Sequence, residues 1–196
     1  MQRMDTEERQ EQIIDTAMQI INNSGYLAFT TRRLAKEIGI SEPALYRHFK
    51  NKDEIIIGIL GKMEDLWSTI GKQIDLTEKY IDKLDVLLSM HFHYIEENVN
   101  IVAVLFADEY IRWNETVKNY LIKIQSQRYL FLLGLLKEGI KKGSFRHFDP
   151  DILATIILGT VRSTILNWKY SPLSYSLTEQ GEKVTQILIE MIKNNN

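Results

Sequence analysis

The stretch from Thr30 to Lys52, TTRRLAKEIGISEPALYRHFKNK, limits what this chain can become more than any other. Leu34, Ala35 and Ile38 recur at helical spacing, and Thr30 stands where a hydroxyl can cap the helix that carries them. Gly39 stops that helix, because glycine takes the left-handed conformation at a helix C-terminus without a side-chain clash. Ser41 then caps a second helix, and Pro43 sits in its first turn, where a missing N–H costs little. This second helix carries Ala44, Leu45 and Phe49, with Ala44 small enough to let another helix approach. Helix, glycine corner and short helix make the pattern of a helix-turn-helix, whose second helix is dimensioned for the major groove of DNA.

Charge points the same way. The stretch holds Arg32, Arg33, Lys36, Arg47, Lys50 and Lys52 against Glu37 and Glu42, six basic residues against two acidic, a net of +4. The whole chain carries −2, so the remainder sums to −6. A basic island on an acidic protein is the footprint of a phosphate-binding face, and binding through it falls steeply as salt rises.

The segment TTRRLAKEIGISEPALYRHFKNKDEI resembles the DNA-binding domain of the TetR family of bacterial transcriptional regulators. The likeness covers about the first quarter of the chain and is most specific at Leu45-Tyr46-x-His48-Phe49-x-x-Lys52 after Gly39-x-Ser41. It implies a homodimer that binds double-stranded DNA at a palindromic operator and responds to a small-molecule effector. Residue by residue, it implies that Pro43 and Ala44 touch bases, Ala44 suiting a thymine methyl, and that Tyr46, His48 and Lys52 contact phosphates. Arg32 matches a position where the tetracycline repressor places a base-reading arginine. Thr31 can add a hydroxyl contact. Glu42 can accept from a cytosine amino group, although nearby phosphates repel a carboxylate. Arg47 reads as a guanine reader or as a phosphate clamp, and the sequence leaves both open.

Composition bounds the rest. A chain of 196 residues, 44% hydrophobic and 26% charged, has the makeup of a soluble globular protein able to bury a sizeable core. With 3 prolines, 10 glycines and no sustained apolar–polar alternation, the expected fold is all-α. The absence of cysteine rules out disulfides and thiol chemistry and suits a reducing cytoplasm. The charged start MQRMDTEERQEQ does not read as a secretory signal, and the longest apolar run, 152–161, is far short of the ~20 residues that span a bilayer.

Along the chain, Ile13, Ile14, Ala17, Ile20 and Ile21 predict a first helix over about 7–23, ended by Gly25, with Tyr26 and Phe29 as anchors in the link. A fourth helix opens at Asp53 and continues through Ile74, about 30 Å at ~1.5 Å per residue. It reaches beyond the helix-turn-helix unit, so the expected division is a DNA-binding domain at 1–53 and a helical ligand-sensing and dimerisation domain at 54–196. Further helices are expected over 79–98 and 101–112, from Asn114 or Thr116 to Gly143, and from Asp149-Pro150 to about Tyr170, the last reading as apolar, and hence buried, on most sides. Thr178 reads as the cap of a final helix with Val184, Ile187, Leu188 and Met191 as its stripe, and the asparagines at 194–196 as a frayed tail. The last two helices carry more apolar surface than so small a domain can cover, which predicts their pairing with a second copy about a two-fold axis.

Trp67, Phe92, Phe106, Tyr110, Trp113 and Trp168 supply aromatic surface suited either to a ligand cavity or to plain core. Arg162 and Asn167 interrupt an apolar helix, so they face a ligand or satisfy each other across a dimer. His91 and His93, two apart, fall on nearly opposite sides of a helix. His93 and Glu97 read as a surface pair rather than a metal site, and Asp108 with Arg112 as a local ion pair. No GxSxG, HExxH or phosphate loop occurs, so neither an enzyme nor a metal or cofactor protein is expected.

Overall fold

The computed structural model describes residues 5–105, 114–171 and 174–194. Among these it holds nine α-helices: α1 Thr6–Ser24, α2 Thr31–Ile38, α3 Glu42–Leu45, α4 Lys52–Asp75, α5 Tyr80–Glu97, α6 Val99–Leu105, α7 Glu115–Lys141, α8 Pro150–Tyr170 and α9 Leu177–Ile192. A single 3-10 turn, Tyr26–Ala28, links α1 to α2. None of the described helices is long and apolar enough to cross a membrane.

The helix ends follow local chemistry. Asp5 accepts from the backbone N–H of Glu8 while the Glu8 carboxylate accepts from that of Asp5, a reciprocal capping box. Thr30 accepts from the N–H of Arg33, Ser41 from Ala44, Asn114 from Val117, and Asp149 from both Asp151 and Ile152. Gly39 ends α2 at φ 77° and ψ 32°, the left-handed region that glycine alone enters freely. The fourth helix starts one residue earlier than expected, at Lys52, behind an Asn51 side chain that accepts from the N–H of Glu54.

Contacts divide the chain into two compact units, Met1–Glu64 with Val99–Lys123, and Asp65–Asn98 with Ile124–Asn196. In the first, Ile13, Ala17, Phe29, Leu34 and Leu45 are fully enclosed or nearly so, and Phe49 closes the small core of α1, α2 and α3. Polar ties fix α4 here: the Lys62 ammonium reaches Glu11 at 3.2 Å and Asp15 at 3.0 Å, and the Tyr120 hydroxyl donates to Glu64 at 2.7 Å. In the second unit α9 packs along α5 and against α8. The contact is close at Gly181, where a Cβ would stand 2.4 Å from Cγ and Cδ2 of the fully buried Phe92.

That approach yields a first expected result. Alanine inside a helix normally gains about 1 kcal/mol over glycine. At Gly181 the methyl would meet the root of an enclosed ring, an overpacking cost of roughly 1–3 kcal/mol, so Gly181→Ala should be net destabilising. A rise in melting temperature would contradict it.

Four expectations change. Ser176, not Thr178, caps the last helix by accepting from the N–H of Glu179 at 3.2 Å, because Thr178 is engaged by Glu96. Helix α8 is not buried all round: Leu153, Ala154, Ile157, Val161 and Ile165 face inward, while Ile152 is 60% and Ile156 52% exposed. On α9 Leu188 is buried, but Ile187 and Met191 of the expected stripe are exposed. Asn194 is not frayed, since its N–H donates to the carbonyl of Ser144 beside an antiparallel bridge between Phe145 and Lys193. Pro172, residues 195–196 and the second half of the helix expected over 101–112 lie outside the described residues.

Candidate nucleic-acid interface and sensor residues

The helix-turn-helix is more compact than its sequence suggests. The second helix keeps only Glu42–Leu45, and residues 46–48 continue it as a turn rather than as α-helix. Pro43, Tyr46 and Arg47 are exposed, as is Arg32 on α2, while Ala44 is half-buried. The corner is held by side chains: the Thr31 hydroxyl donates to the Glu42 carboxylate at 2.5 Å, and the Tyr46 hydroxyl donates to Thr31 at 3.5 Å. Thr31, Glu42 and Tyr46 are therefore brought together, with the Glu42 carboxylate engaged by α2.

Behind this corner His48 is half-buried, its carbonyl accepting from the Gln10 amide at 3.1 Å and its Nδ1 enclosed without a hydrogen-bond partner among the described residues. The Lys52 ammonium lies 4.1 Å from the ring centroid of Tyr26 and 4.9 Å from that of Phe29. Burial lowers its pKa, and the charge of Asp53 partly offsets this. A partly desolvated ammonium seated on two aromatic faces is held in place, which makes Tyr26 and Phe29 a platform for it. Sequence patterning identified those two rings only as packing anchors.

In the second unit the expected sensor residues separate. Phe92 is fully buried against Gly181 and is core. The Trp168 indole donates to the carbonyl of Tyr175 at 3.0 Å. Arg162 and Asn167 are exposed on α8, so the supposed need to satisfy buried polar groups does not arise within one chain. Phe106, Tyr110 and Trp113, with the expected Asp108–Arg112 pair, lie outside the described residues. His93 and Glu97 form an exposed pair at 3.4 Å, and no group of three metal-ligating side chains occurs among the described residues.

Trp67 lies in a setting that patterning did not reveal. Its ring centroid is 5.9 Å from that of His91 and 6.2 Å from that of Phe131, and the Arg128 guanidinium carbon stands 5.1 Å from it. Arg128 was missed because a lone arginine on a long amphipathic helix reads as solvated. In the sequence His91 reads only as a histidine that cannot share a metal with His93. Its signal in the sequence is the helical spacing to Leu84, Leu87, Leu88 and Ile95, which puts it on the apolar side of α5.

Comparison with known proteins gives this geometry its context. The family model "Bacterial regulatory proteins, tetR family" matches residues 13–59, and "YsiA-like protein, C-terminal region" matches 60–191. A fatty acid metabolism regulator protein of Bacillus subtilis is 27% identical over 93% of this chain and 95% of its own. A nucleoid occlusion factor of Vibrio cholerae is 26% identical over 94% and 96%. The crystal structure of the transcriptional regulator FadR from Bacillus subtilis in complex with stearoyl-CoA superposes with a TM-score of 0.80, at 26% identity over 91% of this chain and 97% of that one. A ketosteroid transcriptional regulator of Mycobacterium tuberculosis shares the fold with a TM-score of 0.81, at 22% identity over 95% and 96%. Matched in this way at both its helix-turn-helix and its C-terminal region, the chain belongs to the TetR family, and it is a DNA-binding transcriptional regulator rather than an enzyme.

Proposed function

We propose that this regulator is a repressor that binds a palindromic operator as a homodimer in the cytoplasm and releases it when a long-chain acyl-CoA binds. The observation that carries the reading is the capped glycine corner, which sets exposed Arg32, Pro43, Tyr46 and Arg47 on a basic head. Residues 1–53 act as that head, and residues 54–196 sense the effector and dimerise. The effector class is supported by the relative that regulates fatty acid metabolism and by the 26% identical structure that holds stearoyl-CoA.

Dimerisation is supported by Ile152 and Ile156 on α8 with Ile187 and Met191 on α9, each more than half exposed. Covering the exposed remainder of such side chains contributes roughly 1–1.5 kcal/mol apiece, about half the value for complete burial, and a two-fold axis lets one patch cover its own copy. In each head Arg32, Pro43 and Ala44 read bases, while Tyr46, His48 and Lys52 fix the register on phosphates, and Thr31, whose one hydroxyl proton goes to Glu42, holds the corner that presents them. Arg47 adds a further DNA contact. Glu42 supports the corner through Thr31 rather than serving as a free acceptor for bases. Inducer and operator then weaken each other reciprocally, with α4 as the element that links sensing to the head.

Selection from random duplexes tests this reading. The recovered sites should be inverted repeats whose half-sites lie about one helical turn apart. Arg32→Ala should relax one base position per half-site at a cost of roughly 1–3 kcal/mol, whereas Tyr46→Phe should weaken all sequences evenly. A pool with no shared site, or with a single unrepeated half-site, would refute it.

A further inference from the structure

Three helices of the second unit bring polar groups together in a place that holds no acceptor for Trp67 Nε1, His91 Nδ1 or Arg128 Nε among the described residues. Trp67 on α4, His91 on α5 and Arg128 on α7 adjoin one another, with the guanidinium packed on the indole ring. Trp67 Nε1, His91 Nδ1 and Arg128 Nε are each shut off from solvent, and none has a hydrogen-bond partner among the described residues. His91 is 4% exposed, and Arg128 keeps part of its side chain exposed while its Nε is enclosed. An indole N–H and a guanidinium N–H can only donate. Buried donors are almost always paired, because leaving one unmade forfeits its hydration for nothing in return.

Electrostatics narrows the missing partner. Burial brings the Arg128 pKa down to about 10, so the group stays charged at neutral pH without a carboxylate to offset it among the described residues. Burial, and then the neighbouring Arg128 charge, hold the His91 pKa well below the ordinary histidine range. His91 is therefore neutral and can present either an N–H or a lone pair at Nδ1. Two obligate donors, one of them cationic, and an adaptable third group call for an acceptor with negative charge. Around them Phe131 meets the Trp67 ring edge-on and Phe92 adjoins His91, so the setting of the charge is aromatic and apolar.

We propose that Trp67, His91 and Arg128 form the polar end of the effector site and bind an anionic head group, a carboxylate or a phosphate ester, whose apolar body lies against the adjoining aromatic side chains. The inference rests on the reading of this protein as ligand-responsive and assigns the residues that recognise the charge of the ligand. Arg128 supplies the charge, Trp67 a fixed donor, and His91 the tautomer that suits the bound oxygen.

The test is equilibrium binding of palmitate, stearoyl-CoA and neutral 1-hexadecanol to the full chain, its Arg128→Gln, Arg128→Lys and Trp67→Phe variants, with helical circular dichroism as the check on folding. Arg128→Gln should weaken whichever anionic probe the wild type binds by about tenfold or more, the usual weight of one charge-assisted bond, and change hexadecanol by less than about twofold. Arg128→Lys should fall between, and Trp67→Phe, which keeps a ring but lacks the N–H, should show the same preference for loss of the anionic probes. Palmitate binding identifies a carboxylate, and binding of stearoyl-CoA alone identifies the phosphate ester. Equal affinity of the anionic probes for wild type and Arg128→Gln, or an equal loss for hexadecanol, overturns the assignment. If the wild type binds none of the three, the acyl effector is wrong, and inorganic phosphate and acetate then decide the cluster alone. A melting temperature that they raise in wild type but not in Arg128→Gln upholds it, and equal response of the two proteins overturns it.

Discussion

Glu96→Ala is expected to lower the stability of the chain by about 2–3 kcal/mol, the weight of hydrogen bonds to one charged acceptor. At this chain length that corresponds to a fall of roughly 5–10 °C in melting temperature. The Glu96 carboxylate, at the end of α5, accepts from the N–H of Leu177 at 2.8 Å, the N–H of Thr178 at 2.9 Å and the Ser176 hydroxyl at 3.1 Å, and from the Thr178 hydroxyl as well. Leu177 and Thr178 are the first two residues of α9, so a side chain from another helix satisfies N–H groups that no helix can satisfy for itself. Its charge also faces the positive end of the α9 dipole.

The same arrangement makes the contribution depend on pH. Burial raises the Glu96 pKa, but the hydrogen bonds from Thr178, Leu177 and Ser176 outweigh burial and leave it below the usual carboxylate value. A carboxyl group whose folded pKa is depressed stabilises the protein above its unfolded pKa and loses that contribution as pH falls through the folded value. Wild type should therefore lose stability on acidification below about pH 4.5 more steeply than Glu96→Ala. Glu96→Gln, which keeps an acceptor oxygen without charge, should fall between the two at neutral pH. Melting curves across pH for the three proteins would expose an error, since parallel acid limbs would mean that Glu96 is not the group responsible.

The second large effect concerns the heads. With Lys52 neutralising one phosphate in each of two heads, operator affinity should fall by at least about tenfold between roughly 50 and 200 mM salt, whereas a hydroxyl contact such as that of Tyr46 positions the head without releasing counterions. Lys52 is the informative position, because its ammonium also sits on Tyr26 and Phe29. Lys52→Met keeps an apolar stem against those rings and removes only the charge. The slope of log affinity against log salt should then shrink by about two for the dimer, close to one per head. An unchanged slope would make Lys52 a packing element of the corner rather than a phosphate contact. Fluorescence anisotropy of a labelled operator across a salt series measures both quantities.

These two effects also show where sequence reading succeeds and where it stops. The corner at Thr30, Gly39 and Ser41 and the start at Asp149 were legible, and the start near 114 was narrowed to Asn114 or Thr116, because each is decided within about four residues, by a side-chain acceptor or a left-handed glycine. Thr178 looked like a cap on the same local grounds and was not one. Its competitor, Glu96, lies 82 residues away in sequence. Asn194 escaped for the same reason, because its partner is the carbonyl of Ser144. A helix apolar on most sides, such as α8, carries no signal of which side turns inward, so the exposure of Ile152 and Ile156 had to come from tertiary packing. The corner itself proved tighter than its spacing implied, with Phe49 buried beyond the end of α3 instead of on it. His91 shares the apolar face of α5, which marks it as buried but not what it meets, and Arg128 was illegible because a polar residue on an amphipathic helix gives no sign that neighbouring helices will close over it.

The most direct test of a ligand-responsive repressor is operator affinity measured at increasing stearoyl-CoA, alongside stearoyl-CoA affinity measured at increasing operator. Both affinities should fall by the same factor, in the range of about 5–150-fold that couplings of this kind span, because linkage between two binding sites is reciprocal. Stearoyl-CoA that saturates the protein and leaves operator affinity unchanged would contradict the account.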